Sequence, residues 1–185
     1  MPDPASPLVI STRELARRPG TSRRDHKSFD APEDLGSDII AVPKGNRIEW
    51  DFLLESVLEG VLVTGSVSAR ARGACVRCLD GLDLDLEVDV QELFVYPERH
   101  GAAQESGDQD AEEERVLHDD CADLGPSVRD AIVLALPFQP VCRDDCPGLC
   151  AQCGQRLAEA PGHQHEVIDS RWSALAGLLD QRQET

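Results

Sequence analysis

Hydrophobic and polar side chains alternate in three long segments in the middle of the chain. Apolar or small residues occupy every second position in 48–54, 61–71 and 82–90. A period of two is typical of a strand with one buried and one exposed face. Because the links between these segments are short, we expect neighbouring strands to run antiparallel, as in a β-meander. A shorter apolar run at 38–42 predicts one further strand.

The flanking segments predict shorter elements. Apolar residues at 8–10 predict a brief strand, followed by a short helix that ends near Arg18, whereas 20–37 is predicted to be loop. Apolar residues at helical spacing in 128–136 predict a helix that begins near Pro126 and ends before Pro137. A second amphipathic pattern predicts a final helix in 169–179.

A cysteine cluster near the C-terminal end is the main candidate for metal chemistry. Cys142, Cys146, Cys150 and Cys153 lie within twelve residues, at spacings short enough for one loop to surround one ion. Four thiolates fill the tetrahedral shell of a structural zinc site, and an iron–sulfur cluster is the other metal alternative. The N-terminus lacks the pattern of a signal peptide and no stretch has the length of a membrane span. We therefore expect a cytoplasmic protein, in which clustered thiols favour metal over disulfides.

A second pair, Cys75 and Cys78, lies between two predicted strands. It is either a redox dithiol, half of a zinc site shared with Cys150 and Cys153, or a recognition pair with Arg77 between the thiols. The shared site has the larger loop to close, so loop-closure entropy favours the local four-cysteine site. The alternatives remain open from the sequence.

The remaining candidates for site chemistry are few. His163 and His165 follow the cysteine loop and are expected at the surface. They are candidate metal ligands if one of the four thiols does not bind the ion. Cys121 stands alone and is most simply a buried thiol. The chain contains no zinc-protease motif, nucleophile elbow, phosphate loop or dinucleotide fingerprint. A protein without enzymatic activity is therefore favoured over a zinc or thiol enzyme.

Together these elements predict an α+β fold. It has an antiparallel β-meander core with a C-terminal helix, a cysteine-rich zinc loop and a final amphipathic helix. A chain of 185 residues is expected to form one domain. Its parts are an N-terminal basic arm with a short helix (1–37), the sheet core (38–97), an acidic linker with the composition of a disordered segment (98–116), and the helix, four-cysteine loop and C-terminal helix (117–185).

Charge narrows the class of partner. The net charge of −17 disfavours unaided binding to a phosphate backbone and favours a basic protein. Segment 11–27 is locally basic and is either an RNA or ribosome contact or a solvated arm. One face of a predicted strand carries an acidic row, which is either a solvated sheet face or a surface for a basic partner: Asp83, Asp85, Glu87 and Asp89.

The order of these motifs resembles that of a known family. The segments that carry the resemblance are Glu-Gly-Val-Leu-Val-Thr-Gly at 59–65, Gly-x-Cys-x-Arg-Cys-Leu at 73–79, Glu-Leu-Phe-x-Tyr-Pro at 92–97, Leu-Ala-Leu-Pro-x-x-Pro at 134–140, the cysteine run at 142–154 and Ile-Asp-x-Arg-Trp-x-x-Leu at 168–175. The chain resembles the YceD family, also called the large ribosomal RNA subunit accumulation protein family. The resemblance spans roughly 39–179.

The resemblance implies a non-enzymatic role in the synthesis, processing or stability of 23S ribosomal RNA. It further implies a ribosomal protein or a pre-ribosomal large subunit as partner. We expect contact with rRNA to be indirect, and neither a membrane nor a small-molecule substrate to be a partner. The family's Cys-x-Arg-Cys element corresponds to Cys75, Arg77 and Cys78. Zinc is expected from the cysteine spacing and not from the family. A direct RNA-binding module that uses the basic arm is the alternative.

Overall fold

The computed structural model describes residues 6–106 and 114–165. Within them the chain forms strands, one 3₁₀ helix and two α-helices. In chain order these are β1 (Val9–Ser11), the 3₁₀ helix (Arg13–Leu15), β2 (Ser22–Asp30), β3 (Leu35–Gly36), β4 (Ile40–Val42), β5 (Arg47–Ser56), β6 (Gly60–Ala74), β7 (Gly81–Val95), α1 (Pro97–Ser106), β8 (Arg115–Val116), β9 (Cys121–Asp123) and α2 (Gly125–Ala135).

Strand β6 is the centre of the main sheet. It pairs antiparallel with β5 along one edge and with β7 along its whole length on the other, so that Val67 lies opposite both Trp50 and Val88. Beyond the end of β5, the last part of β6 pairs with β4, which in turn pairs with β3. The predicted antiparallel meander is therefore confirmed in β5, β6 and β7.

The predicted alternation sets which face of the sheet is buried. Ile48, Trp50 and Leu54 are fully buried on β5, and the rings of Trp50 and Phe52 lie 4.3 Å apart. Helix α2 contributes Ile132 to the same core, which also receives apolar side chains from the small ribbon of β1 and β9. The opposite face of the sheet carries polar side chains and remains exposed.

Strand β2 corrects the prediction that 20–37 is loop. Ser22–Asp30 pairs with β5 over nine residues and forms an edge of the sheet. Its sequence is almost entirely polar, and Phe29 is the residue that enters the core. An edge strand needs few apolar side chains, because its backbone hydrogen bonds to the neighbouring strand already hold it in place. Residues 22–30 of the predicted basic arm are therefore part of the sheet.

The acidic segment is also more ordered than its composition predicts. Pro97–Ser106 forms α1, and Arg115–Val116 forms β8, which pairs parallel to the end of β7. Backbone N–H groups of Arg99 and His100 both donate to the carbonyl oxygen of Tyr96, which starts the helix directly after the sheet. The predicted disorder of 98–116 is wrong for these two stretches, and residues 107–113 lie outside the described part.

The C-terminal elements are described only in part. Helix α2 has a proline in its first turn, and Leu136, just before Pro137, is already extended, as the sequence predicts. The predicted helix in 169–179 lies outside the described residues. Among the described helices, none has the length and apolar character required to cross a bilayer.

Candidate functional site

The link between β6 and β7 forms a tight turn that presents two thiols. The backbone N–H of Cys75 donates to the carbonyl oxygen of Asp80 (2.8 Å), and that of Leu79 donates to the carbonyl of Cys75 (2.9 Å). Leu79 adopts a left-handed conformation with a φ of 62°. Because the turn closes at the end of two long paired strands, the side chains of Cys75 and Cys78 are held on a rigid support, and both are buried.

A segment after α2 docks on this turn through the backbone. The N–H of Val76 donates to the carbonyl of Pro140 (2.9 Å), and the N–H of Leu149 donates to the carbonyl of Arg77 (3.0 Å). The Arg77 guanidinium donates to the carbonyl oxygen of Cys146 (3.1 Å) and to a second carbonyl of the same loop. Arg77 is thus engaged in holding the loop, which limits its availability as a recognition residue.

These contacts bring four thiols together. Cys75, Cys78, Cys142 and Cys146 have ligand atoms that all lie within 4.8 Å of one another, and we call them the four-thiol group. The Sγ atoms of Cys75 and Cys146 are 3.9 Å apart, and those of Cys78 and Cys142 are 3.7 Å apart. Zn–S bonds of about 2.3 Å in a tetrahedron place sulfurs about 3.8 Å apart. The observed spacing therefore fits a metal ion at the centre of the group.

The thiols in this group differ strongly in acidity. Backbone N–H groups, first of Cys142 and then of Cys78, donate to Cys75 and lower its pKa to about 6. For Cys78, a hydrogen bond from the Asp80 N–H favours the thiolate, but burial and the neighbouring sulfurs outweigh it and raise the pKa to about 12. Close sulfurs resist carrying several negative charges together, and a bound cation would relieve this repulsion.

A second group lies further along the chain. Cys150, Cys153, His163 and His165 also have ligand atoms within 4.8 Å of one another, and we call them the Cys/His group. Cys153 and His165 are exposed, whereas Cys150 and His163 are half-buried. Backbone N–H groups, first of Cys153 and then of Gln152, donate to the Cys150 sulfur and lower its pKa.

An ion pair joins the loops that carry the two groups. Arg156, directly after the Cys150–Cys153 turn, donates to Asp80 at 2.7 Å. This hydrogen bond is the main reason that the pKa of Asp80 lies below its usual value. Asp80 also accepts a hydrogen bond from the Cys78 thiol at 3.4 Å. The pair therefore links the wall of the four-thiol group to the loop of the Cys/His group.

This arrangement differs from both groupings expected from the sequence. The structure separates the four clustered cysteines, since two of them join Cys75 and Cys78 and the other two face His163 and His165. It also differs from the shared site, in which Cys75 and Cys78 would meet Cys150 and Cys153. Loop-closure entropy favours the shorter loop, but backbone hydrogen bonds fix 140–149 against the β6–β7 turn and bring Cys142 and Cys146 to Cys75 and Cys78.

The predicted acidic row lies on the exposed face of β7, as the alternation indicates. Its two ends differ in their surroundings. Arg70 contacts both Asp83 (3.6 Å) and Asp85 (3.7 Å), and Arg72 contacts Asp83 (3.4 Å). Among the described residues, Glu87 and Asp89 have no such cationic neighbour. The negative potential of the row is therefore concentrated at its Glu87 and Asp89 end.

The register of the strands places two carboxylates of β5 near Glu87 and Asp89. Ser68 of β6 lies between Glu49 and Glu87, and Ser66 lies between Asp51 and Asp89. The four carboxylate residues are exposed, while the serines between them are small. We call this set the acidic surface: Glu49, Asp51, Glu87 and Asp89. His26 contacts Asp51 at 2.9 Å at one corner of this surface.

Comparison with known proteins identifies the family. The sequence model described as "Large ribosomal RNA subunit accumulation protein YceD" matches residues 63–179. The chain belongs to the YceD family. The matched range contains both cysteine groups and the row from Asp83 to Asp89, whereas Glu49 and Asp51 lie outside it. The family description implies a role in the accumulation of the large ribosomal RNA.

Similar chains occur in mycobacteria. The uncharacterised protein Rv2926c of Mycobacterium tuberculosis is 44% identical over 181 residues, which cover 98% of this chain and 86% of the relative. The uncharacterised protein ML1660 of Mycobacterium leprae is 39% identical over 174 residues, which cover 94% of this chain and 78% of the relative. No solved structure matches the chain.

Proposed function

We propose that this YceD-family protein is a non-enzymatic ribosome-biogenesis factor that supports the synthesis, processing or stability of 23S rRNA. It acts in the cytoplasm by binding a basic ribosomal protein, free or within a pre-ribosomal large subunit. The observation that carries the proposal is the acidic surface, in which carboxylates from two strands flank Ser66 and Ser68 on an exposed sheet face. Such a surface attracts and shields a basic protein until that protein meets RNA.

Direct RNA binding is the competing function. It requires cationic side chains that remain available for phosphates. In the basic segment, Arg23 contacts Glu14 (2.8 Å) and Asp25 (3.5 Å), and Lys27 donates to the carbonyl oxygen of Pro7 (3.2 Å). These contacts, together with a net charge of −17, favour a protein partner over naked RNA.

The four-thiol group supports a structural role for metal in this function. We assign it one Zn²⁺ ion, because four sulfurs at tetrahedral spacing match the preference of zinc and leave no position for a reacting water. The ion would tie the segment after α2 to the β6–β7 turn. A reducing cytoplasm keeps the thiols available as ligands.

Affinity capture with charge variants tests the proposal. Glu87→Gln/Asp89→Asn removes the two carboxylates of the acidic row that have no cationic neighbour among the described residues. Asp83→Asn/Asp85→Asn removes two that already contact arginine. We expect the wild-type chain to retain basic large-subunit proteins from lysate at low salt, the first variant to lose them and the second to retain most of them. Recovery of RNA without such proteins, or equal losses in both variants, would contradict the proposal.

A further inference from the structure

The Cys/His group has the ligand set of a metal site of its own. We propose that Cys150, Cys153, His163 and His165 bind one Zn²⁺ ion, separate from the ion assigned to the four-thiol group. The inference is independent of the proposed role at the ribosome, because it rests on the geometry of these four side chains. The chain then carries two structural metal ions per molecule.

The ligand atoms of this group converge on a common centre. The Nε2 atoms of His163 and His165 are 2.8 Å apart, and each lies 3.2 Å from the Sγ of Cys153. A zinc tetrahedron of two sulfurs and two nitrogens has edges of about 3.4–3.8 Å. An expansion of up to about 0.6 Å therefore admits the ion. Two thiolates with two imidazoles are a donor set typical of zinc.

A tight turn presents the two sulfurs. The N–H of Gly154 donates to the carbonyl of Cys150 (2.9 Å), and the N–H of Cys150 donates to the carbonyl of Gln155 (2.8 Å). Gly154 adopts a left-handed conformation with a φ of 72°. This is the same construction as the β6–β7 turn, where Leu79 takes the left-handed position after Cys78. Each of the two groups is thus built on a Cys-x-x-Cys turn.

A second turn returns the histidines to these sulfurs. The N–H of His163 donates to the carbonyl of Ala160 (3.1 Å), and Gly162 between them has a φ of 85°. His163 and His165 then meet edge to face, with ring centroids 4.6 Å apart. A cation between their nitrogens and the sulfurs explains why four polar side chains crowd together at the surface instead of extending into solvent.

The two ions differ in their exposure to solvent and in the parts of the chain that they connect. In the four-thiol group, Cys75, Cys78 and Cys146 are buried, and the ion joins residues far apart in the sequence. The Cys/His ion is bounded by exposed Cys153 and His165 and closes only the loop 150–165. We therefore expect the second ion to exchange faster, and its loss to leave the sheet and the first ion in place.

Metal stoichiometry of the full chain tests the inference. Protein purified under reducing conditions and loaded with Zn²⁺ is analysed for zinc per chain. We expect two equivalents in the wild type, one in His163→Ala/His165→Ala, and two in the control His118→Ala, whose exposed imidazole belongs to neither group. One equivalent in the wild type, or two in the double variant, would overturn the inference.

Release kinetics supply a measurement that does not depend on total content. Transfer of zinc to a colorimetric chelator should show a fast and a slow phase of equal amplitude in the wild type. The double variant should lack only the fast phase, and its circular dichroism should match that of the wild type because the substituted residues lie outside the strands and helices. A single phase in the wild type that the double variant leaves unchanged would also overturn the inference.

Discussion

The backbone N–H of Leu149 donates a hydrogen bond of 3.0 Å to the carbonyl oxygen of Arg77. This contact fixes the segment between the four-thiol group and the Cys/His group against the β6–β7 turn. It requires the preceding residue, Gly148, to adopt a φ of 76° and to lie close to Arg77. The register of the C-terminal segment on the sheet therefore depends on one glycine.

Substitution of Gly148 by alanine should disrupt this docking. A Cβ at this position would lie 2.9 Å from the Arg77 carbonyl oxygen. The left-handed conformation alone costs roughly 1–2 kcal/mol for a residue with a Cβ, and the contact adds to this cost. Gly45→Ala is the matched control, because Gly45 has a φ of 81° but open space around it. We expect a larger loss of unfolding free energy in urea for Gly148→Ala, and equal losses would contradict the docking.

Removal of metal should release the C-terminal segment and leave the sheet folded. The amides of Val76 and Leu149 are hydrogen-bonded across the four-thiol group, so chelation should accelerate their hydrogen exchange. The amide of Trp50, within the β5 ladder, should remain protected. Mass spectrometry of deuterated fragments measures both, and restoration of Zn²⁺ should restore protection. Unchanged exchange at Leu149 after complete metal removal would contradict a structural role for the ion.

Strand β2 should depend on one apolar side chain. Phe29 is 6% exposed and connects an otherwise polar strand to the core. Truncation of a buried phenylalanine to alanine costs about 3–5 kcal/mol, so Phe29→Ala should lower the unfolding free energy by about 3 kcal/mol. Arg24→Ala, at an exposed position of the same strand, should change it by less than about 0.5 kcal/mol. Similar values for the two variants would mean that β2 is not anchored in this way.

The elements that could be predicted from the sequence are those that bury one face, because their apolar residues then recur with a regular period. Strands β5, β6 and β7 each bury one face, so their apolar residues alternate, and α2 buries one stripe, so its residues recur at helical spacing. Strand β2 buries little beyond Phe29 and shows no such period. Its position follows from backbone pairing with β5, which the side-chain pattern does not encode.

The four-thiol group and the Cys/His group show the same division. Their identity as ligand-type residues could be predicted from spacing, and the Cys-x-x-Cys turns are local in sequence. Their partition into two groups depends on the position of the segment after α2 relative to the β6–β7 turn. This position is set by the tertiary fold and not by local sequence. The sequence does point to His163 and His165 as ligands. A Cys-x-x-Cys turn supplies two of the four ligands of a tetrahedral zinc site, and the two imidazoles ten and twelve residues after Cys153 can supply the other two.

The arginines beside the acidic row should weaken the binding of a basic partner. Arg70 and Arg72 contact Asp83 and Asp85, so replacing both arginines by serine extends the uncompensated negative surface towards these residues. We expect this variant to bind basic proteins extracted from large ribosomal subunits more tightly at low salt. The gain should diminish as the screening length falls from about 10 Å at 0.1 M salt to about 3 Å at 1 M.

A control variant separates this local effect from net charge. Arg13→Ser/Arg18→Ser changes the net charge equally, but both residues are exposed outside the sheet. Fluorescence anisotropy against salt concentration compares the variants with the wild type. If the surface binds a basic protein, only the substitutions at 70 and 72 should raise affinity, because attraction at short range depends on where the charge lies. Weaker protein binding by that variant, accompanied by loss of RNA binding, would show instead that these arginines contact phosphates directly.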